Sequence, residues 1–295
     1  MADLAAAADP VLFRVVEATN GRKIGIATLN SEKTLHAIGL PIIRALDARL
    51  RDWAADPAIA CVVLHGAGEK AFSAGGDVKS LARAVQDAAP GSFPNPAALA
   101  FFTEEYRLDH RIHVYPKPLL CWGGGIVMGG GMGLFVGASH RVVTETTRAA
   151  MPEITIGLFP DVGGSWFLPR MPGRSGLFVA LTGASLNGHD LLRAKLADHF
   201  VRAADREAIF AALSTAEWTG DAALDRSLLG AQAQDERRRS RMADHAFISA
   251  GNVPRLFAKS IGRCGRLDGE GLYAGGRQRI FRRALPEACP CRVFH

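Results

Sequence analysis

The chain has 295 residues, 48% of them hydrophobic, with a formal net charge of +6 at pH 7 and five cysteines. That length supports a sizeable core, as one large domain or a domain with an appendage, and no run of roughly 18 apolar residues free of charge offers a membrane helix. Nine Lys/Arg against three Asp/Glu between residues 255 and 295 account for the whole net charge, so the body is neutral and no nucleic-acid partner is expected.

In chain order, the opening "MADLAAAADPVLFRV" carries Asp3 and Asp9 and no basic residue before Arg14, a composition unlike a signal or transit peptide. With scattered cysteines in odd number, it sets the expectation of a cytoplasmic protein. "VLFRVVEATNGRKIGIATLN" predicts two strands joined at Asn20-Gly21. A helix follows with Pro41 in its first turn and Ile42, Leu46, Leu50 and Trp53 on one face. "IACVVLHG" is a fully apolar strand, "NPAALAFFTEEYRLDHRIHVY" a long helix, and "PLLCWGG", "HRVVTET" and "RAAMPE" read as further strands. Strands followed by helices recur through the first 200 residues or so, the mark of an α/β domain with a repetitive layered core. Further on, Asn187 or Gly188 opens one helix and Asp205 caps another. The expected organisation is a core over 11–203, a helical region over 204–254, and a weakly ordered Gly/Arg-rich tail over 255–295. In that tail Cys289, Cys291 and His295 lack a fourth metal ligand at a sensible spacing, and no metal site is expected.

Two glycine turns stand between a strand and a helix. "KAFSAGGDVKSL" places Gly75 and Gly76 before an N-capping Asp77, and "GGGIVMGGGMGL" leaves the start of a helix bare at Gly129, Gly130 and Gly131. Neither matches a nucleotide-binding fingerprint. Each alone is compatible with a tight connection, whereas together they can offer two N–H groups to one oxyanion.

"MPEITIGLFPDVGGSWFLP" sets Glu153 and Asp161 eight residues apart among apolar residues, prolines and glycines. Fully extended, that segment would span about 27 Å; Gly157, Pro160 and Gly163-Gly164 let it fold back so that both acids face one pocket. Apolar surroundings and a second carboxyl both raise a carboxyl pKa. Periodicity alone equally allows Glu153 to end a strand at the surface and Asp161 to cap a helix.

"AFSAGGDV", "GGGIVMGGGMGL" and "MPEITIGLFPDVGGSWFLPRMPG" together resemble the crotonase (enoyl-CoA hydratase/isomerase) superfamily, and within it the 3-hydroxyisobutyryl-CoA hydrolase branch. The resemblance runs from about Phe13 to Val201. It implies a spiral of repeated ββα units with a C-terminal helical region that covers the site and supports homo-oligomers. It also implies hydrolysis of a short 3-hydroxyacyl-CoA, as in valine degradation, with no cofactor beyond the coenzyme A of the substrate. Gly76 and Gly130 map onto the oxyanion hole, and Glu105, Gly130, Glu153 and Asp161 onto substrate-contacting positions. Glu153 would attack the thioester or activate a water, with Asp161 at its side. Ala71, Ser73, Gly75 and Asp77 would border the coenzyme, and Lys33 its phosphates. Two other readings stay open. One is hydration or isomerisation of an enoyl-CoA, although hydratases of the family carry a second glutamate where this chain has Gly133. The other is a catalytically silent acyl-CoA-binding protein with an atypical C-terminus.

Overall fold

The computed structural model describes residues 9–89 and 93–234; residues 235–254 of the expected helical region and the basic tail 255–295, with Cys289, Cys291 and His295, lie outside the described residues. The chain enters through β1 (Val11–Glu17) and β2 (Lys23–Leu29), antiparallel from Val11↔Leu29 to Glu17↔Lys23. Gly21 closes their turn at φ 81°, in the left-handed region that glycine enters without a Cβ penalty. Helix α1 (Leu40–Ala55) follows, with Pro41 in its first turn and Ile42, Ile43, Leu46, Leu50 and Trp53 buried, the face its spacing predicts.

A two-strand unit then repeats. β3 (Ile59–Gly66) lies beside β2, β4 (Ala71–Ser73) starts a second sheet, and α2 (Val78–Gln86) follows. After α3 (Pro96–His113), β5 (Leu119–Gly123) joins β3, β6 (Ile126–Met128) joins β4, and α4 (Gly130–Gly137) closes the unit. β7 (His140–Val143) and β8 (Arg148–Ala150) repeat the step. A 3-10 turn over Glu153–Ile156, α5 (Gly164–Phe167) and α6 (Ser175–Thr182) lead to β9 (Leu186–Asn187), α7 (Gly188–Arg193) and β10 (His199–Phe200). The sheets run β1-β2-β3-β5-β7-β10 and β4-β6-β8-β9. Each unit adds one strand to each sheet, parallel to its neighbour except for β9, which runs antiparallel to β8, and the chain spirals along both.

β3 as far as Leu64, and all of β5, are apolar because both faces of the larger sheet are covered. Val62, Leu64, Leu119 and Cys121 point into the main core with α1, α3 and α4. Cys61, Val63, Leu120 and Trp122 point the other way, onto Ile209 and Leu213 of α8 (Arg206–Thr215) and Leu229 of α9 (Ala222–Gln234). No helix among the described residues is long and apolar enough to cross a membrane.

The structure corrects three local readings. β4 and β6, three residues each, hide inside what reads as glycine turns. β8 stops at Ala150; Glu153 opens the 3-10 turn after Pro152 instead of ending a strand. Asp205 occupies the N-cap of α8 but caps nothing, because its carboxylate accepts from Arg202 Nε and Nη2 at 2.7 Å. By contrast, Asn187 forms a full capping box with Asp190.

Candidate active site

Parallel pairing of β4 with β6 sets the two glycine bends side by side at the same ends of neighbouring strands. The first bend is pinned to the segment before α1: Ile38 N–H donates to Gly75 O at 2.7 Å and Asp77 N–H to Ile38 O at 2.8 Å. Gly75 (φ 99°) and Gly129 (φ 50°) both need left-handed backbone. A Cβ on Gly75 would lie 3.4 Å from the Gly130 nitrogen, and one on Gly130 would lie 3.3 Å from the Gly76 nitrogen. The neighbouring amides are committed, Gly75 to Ser73 Oγ and Gly129 to Ala150 O. Those of Gly76 and Gly130 bond no other described backbone group. The amide of Gly130 is the first of α4, where helix geometry leaves N–H groups without an internal acceptor.

Acids surround this pair of amides. Asn95 caps α3, accepting from Ala97 and Ala98 N–H, and the helix turns Phe101, Glu105, Leu108, Asp109 and Ile112 inward. Glu105 is 3% exposed, and its Oε1 would stand 2.5 Å from a Cβ on Gly130. Across the bend, Glu153 Oε1 would stand 3.0 Å from a Cβ on Gly129. The predicted fold-back is made by Gly157 (φ 77°), Leu158 N–H donating to Glu153 O at 3.0 Å, and Gly163 (φ 85°). Val162 between them is a β-branched residue at φ 41°, a conformation that stores strain beside Asp161. Asp161 accepts from Tyr106 Oη at 2.8 Å.

The electrostatics follow from burial. Loss of solvent pushes Glu153 up to about 7, opposed by a hydrogen bond to its own backbone and assisted by Asp161. Glu105 is held well above the usual carboxylate range by burial first, then by Asp109, Asp161 and Glu153. Burial also raises Asp161, against the Tyr106 hydrogen bond that lowers it. A protonated carboxyl can donate as well as accept, so near neutral pH the cluster offers donors and acceptors beside two open amides.

Gly76, Gly130, Glu105 and Glu153 are thus brought together, with Asp161 held by Tyr106 at their edge. The coenzyme-lining set fares differently. Ser73 is fully buried, its hydroxyl donating to His36 O at 2.8 Å, and Ala71 is buried in β4. The Asp77 carboxylate accepts from Ser80 N–H and Oγ as the N-cap of α2. What this segment can offer a ligand is therefore mainly backbone. Lys33 is exposed in the 3-10 turn before α1. Tyr106 and Asp109 were not foreseen. Their signal is present in α3, where Glu105 and Asp109 fall on the apolar stripe one turn apart. At Gly133 a Cβ would lie 2.5 Å from Val162 Cβ and 3.0 Å from Asp109 Oδ1, so no side chain fits there without rearrangement.

The sequence signature of a family described as enoyl-CoA hydratase/isomerase matches residues 24–262. Among curated proteins, the chain is 47% identical over 187 residues to one from Danio rerio named 3-hydroxyisobutyryl-CoA hydrolase, mitochondrial. The match covers 63% of this chain and 47% of that protein, so the chain spans about half the length of the curated relatives it matches. Among solved structures it is similar to an enoyl-CoA hydratase from Rhodobacter sphaeroides, with a TM-score of 0.63 at 35% identity over 93% of this chain and 69% of that one. A carnitinyl-CoA dehydratase from Mycobacterium thermoresistibile gives 0.66 at 31% identity, over 92% and 74%. These crotonase-fold neighbours agree with the expected spiral. The cytoplasmic expectation is corrected: the curated hydrolases, including those of Xenopus tropicalis and Homo sapiens, are named as mitochondrial. The composition of the first fifteen residues does not decide a compartment.

Proposed function

The chain belongs to the enoyl-CoA hydratase/isomerase family, and from that premise we propose that it hydrolyses 3-hydroxyisobutyryl-CoA to 3-hydroxyisobutyrate and coenzyme A. The observation carrying this reading is that the Gly76 and Gly130 amides lie side by side at the bend that the raised carboxyl of Glu153 flanks at Gly129. The Danio rerio relative, named as a 3-hydroxyisobutyryl-CoA hydrolase, supports hydrolysis as the reaction.

In this reading the thioester oxygen accepts from the two amides. The Glu153 carboxylate attacks the carbonyl carbon, and the π electrons move onto the oxygen as the amides stabilise it. Collapse restores the carbonyl and breaks the C–S bond, and coenzyme A leaves as thiolate and takes up a proton. Water then cleaves the mixed anhydride and returns the Glu153 carboxylate. The same geometry serves a variant in which Glu153 takes the proton of an attacking water. A pKa near the working pH suits either role, because enough of the group is ionised while its basicity is retained. Glu105 and Asp161 bind the substrate's 3-hydroxyl, and the backbone of Ala71 to Asp77 borders the coenzyme. Neither path needs a metal or further cofactor.

Crowding at Gly133 by Val162 and Asp109 favours hydrolysis over hydration, since a second acid on α4 has no room. The test offers 3-hydroxyisobutyryl-CoA and crotonyl-CoA separately. Thiol release from the first is the expected result. Hydration of crotonyl-CoA without thiol release, or no turnover of either despite binding, overturns the proposal.

A further inference from the structure

Helix α3 sends inward a second acid that the proposed hydrolysis does not use. Asp109 follows Glu105 by one helical turn on the same buried face. Both of its carboxyl oxygens are buried without a hydrogen-bond partner among the described residues. They would stand 3.0 and 3.1 Å from a Cβ on Gly133, so the carboxyl presses on the bare flank of α4 one turn in from Gly130. The groups that face it are acids: Glu105 from α3 and Asp161 from the turn before α5. Glu153 lies across the Gly129 bend, and α4 itself contributes no titratable group. Of the bases on α3, Arg107 is exposed, His110 is half-buried beside Asp109 in the chain, Arg111 pairs with Asp47 and His113 lies against the ring of Trp166.

An ionised, unpaired carboxylate in such a place is strongly disfavoured. Burial holds Asp109 well above the usual carboxylate range, and Asp161 adds to the rise. The N-terminus of α4 carries the positive end of the helix dipole at the Gly130 amide. A negative charge beside that helix opposes the second negative charge that develops on the thioester oxygen.

Resting on the hydrolase reading above, we propose that Asp109 is a positioning residue that must stay protonated to keep the oxyanion helix effective, and that its ionisation shuts the reaction off at alkaline pH. Glu153 sets the acid limb of the rate profile, because its carboxylate is the working form, and Asp109 sets the alkaline limb.

The test measures kcat/KM for 3-hydroxyisobutyryl-CoA from about pH 5 to about pH 10 in wild type and Asp109→Asn. Wild type gives a bell that falls about tenfold per pH unit on its alkaline side; the Asn variant keeps the acid limb and loses the alkaline one. A flat alkaline side in wild type, or an alkaline limb retained in the variant, overturns the proposal. Infrared spectroscopy adds a readout independent of turnover: a protonated carboxylic acid band at neutral pH, to which Glu105 and Glu153 also contribute, and which loses the Asp109 share in Asp109→Asn. Persistence of the whole band in the variant overturns the proposal even if no thioester is cleaved, whereas absence of thiol release by wild type overturns only the hydrolase reading. If Asp109→Asn does not fold, Asp109→Ser carries both measurements with the same outcomes.

Discussion

Asp225, near the start of α9, and Glu153, in the turn after β8, are both nearly removed from solvent, at 1% and 5% exposure. Their surroundings differ. Asp225 accepts from Thr219 N–H at 2.7 Å, Thr219 Oγ1 at 2.9 Å and Gly220 N–H at 2.9 Å, so one carboxylate organises the turn that leads into α9. Oε2 of Glu153, Oε1 of Glu105 and both oxygens of Asp109 are buried with no partner among the described residues. An acid built for structure is ringed with donors, which stabilise its charge. An acid left without them is destabilising in the resting fold and is kept where a ligand can complete it. The contrast separates a part of the molecule that holds α8 and α9 on the sheet from the part to which the proposed reading assigns the chemistry.

The sharpest way to break the contrast is Glu153→Gln. We expect thioester cleavage to fall about a thousandfold or more, while calorimetry still detects acyl-CoA binding. Stability should move the opposite way. Glu153 titrates near 7 in the fold against an ordinary 4.5, so between those values the folded chain holds a proton that the unfolded chain has lost. Stability therefore declines as pH rises through that window and is lowest, as far as this group is concerned, above 7. At about pH 8 the Gln variant should be more stable by on the order of 2 kcal/mol, and its denaturant midpoint should change less between pH 5 and 8 or so. A variant both inactive and less stable at alkaline pH would place Glu153 with Asp225 as a structural acid.

Gly130→Ala probes the amides themselves. Its Cβ meets Glu105 Oε1 at 2.5 Å, so either the acid or the bend must shift. Loss of one oxyanion donor's alignment predicts a fall in kcat of about a hundredfold. A near-normal kcat would remove the second bend from the reaction.

Asp225→Ala tests the other side. Three donors lose their acceptor, and the expected destabilisation is about 2–3 kcal/mol, read as a lower Tm. Turnover per folded molecule should hold, because α8 and α9 pack on the sheet face opposite the main core. Unchanged Tm would show that the satisfied acid stabilises nothing.

How much of this was legible follows the range of the forces involved. The Asn20-Gly21 hairpin, the buried stripe of α1 and the N-cap at Asp77 are local chemistry, and the spacing of a few residues carries them. β4 and β6 were invisible because three-residue strands exist through their partners: Ala71 pairs with Ile126 across more than fifty residues. Glu153 and Asp161 stood out through their motif, but their raised pKa values come from enclosure by α3, which spacing does not reveal. Asp109 shows in the sequence only by its place on the apolar stripe of α3; that it is a buried acid pressed on the bare face of Gly133 comes from the packing of α3 on α4. Trp218, 2% exposed with Nε1–H donating to Leu213 O at 2.8 Å, anchors a stretch whose periodicity is poor because its order comes from the sheet beneath.

The smallest expected effect comes from Tyr106→Phe, and its direction carries the information. Tyr106 donates to Asp161 at 2.8 Å and thereby lowers a pKa that burial raises. Without the hydroxyl, worth about 1 kcal/mol, Asp161 keeps its proton to higher pH. A more protonated Asp161 repels Glu153 less, and that repulsion is one of the causes lifting Glu153 to about 7. The acid limb of kcat/KM should therefore move to lower pH, by a fraction of a unit, with kcat changed by a few-fold at most. A merely structural tyrosine would lower stability and leave the limb where it is. A limb shifted to higher pH would mean that Asp161 and Glu153 do not interact as like charges, and that the acids of this site work as separate groups.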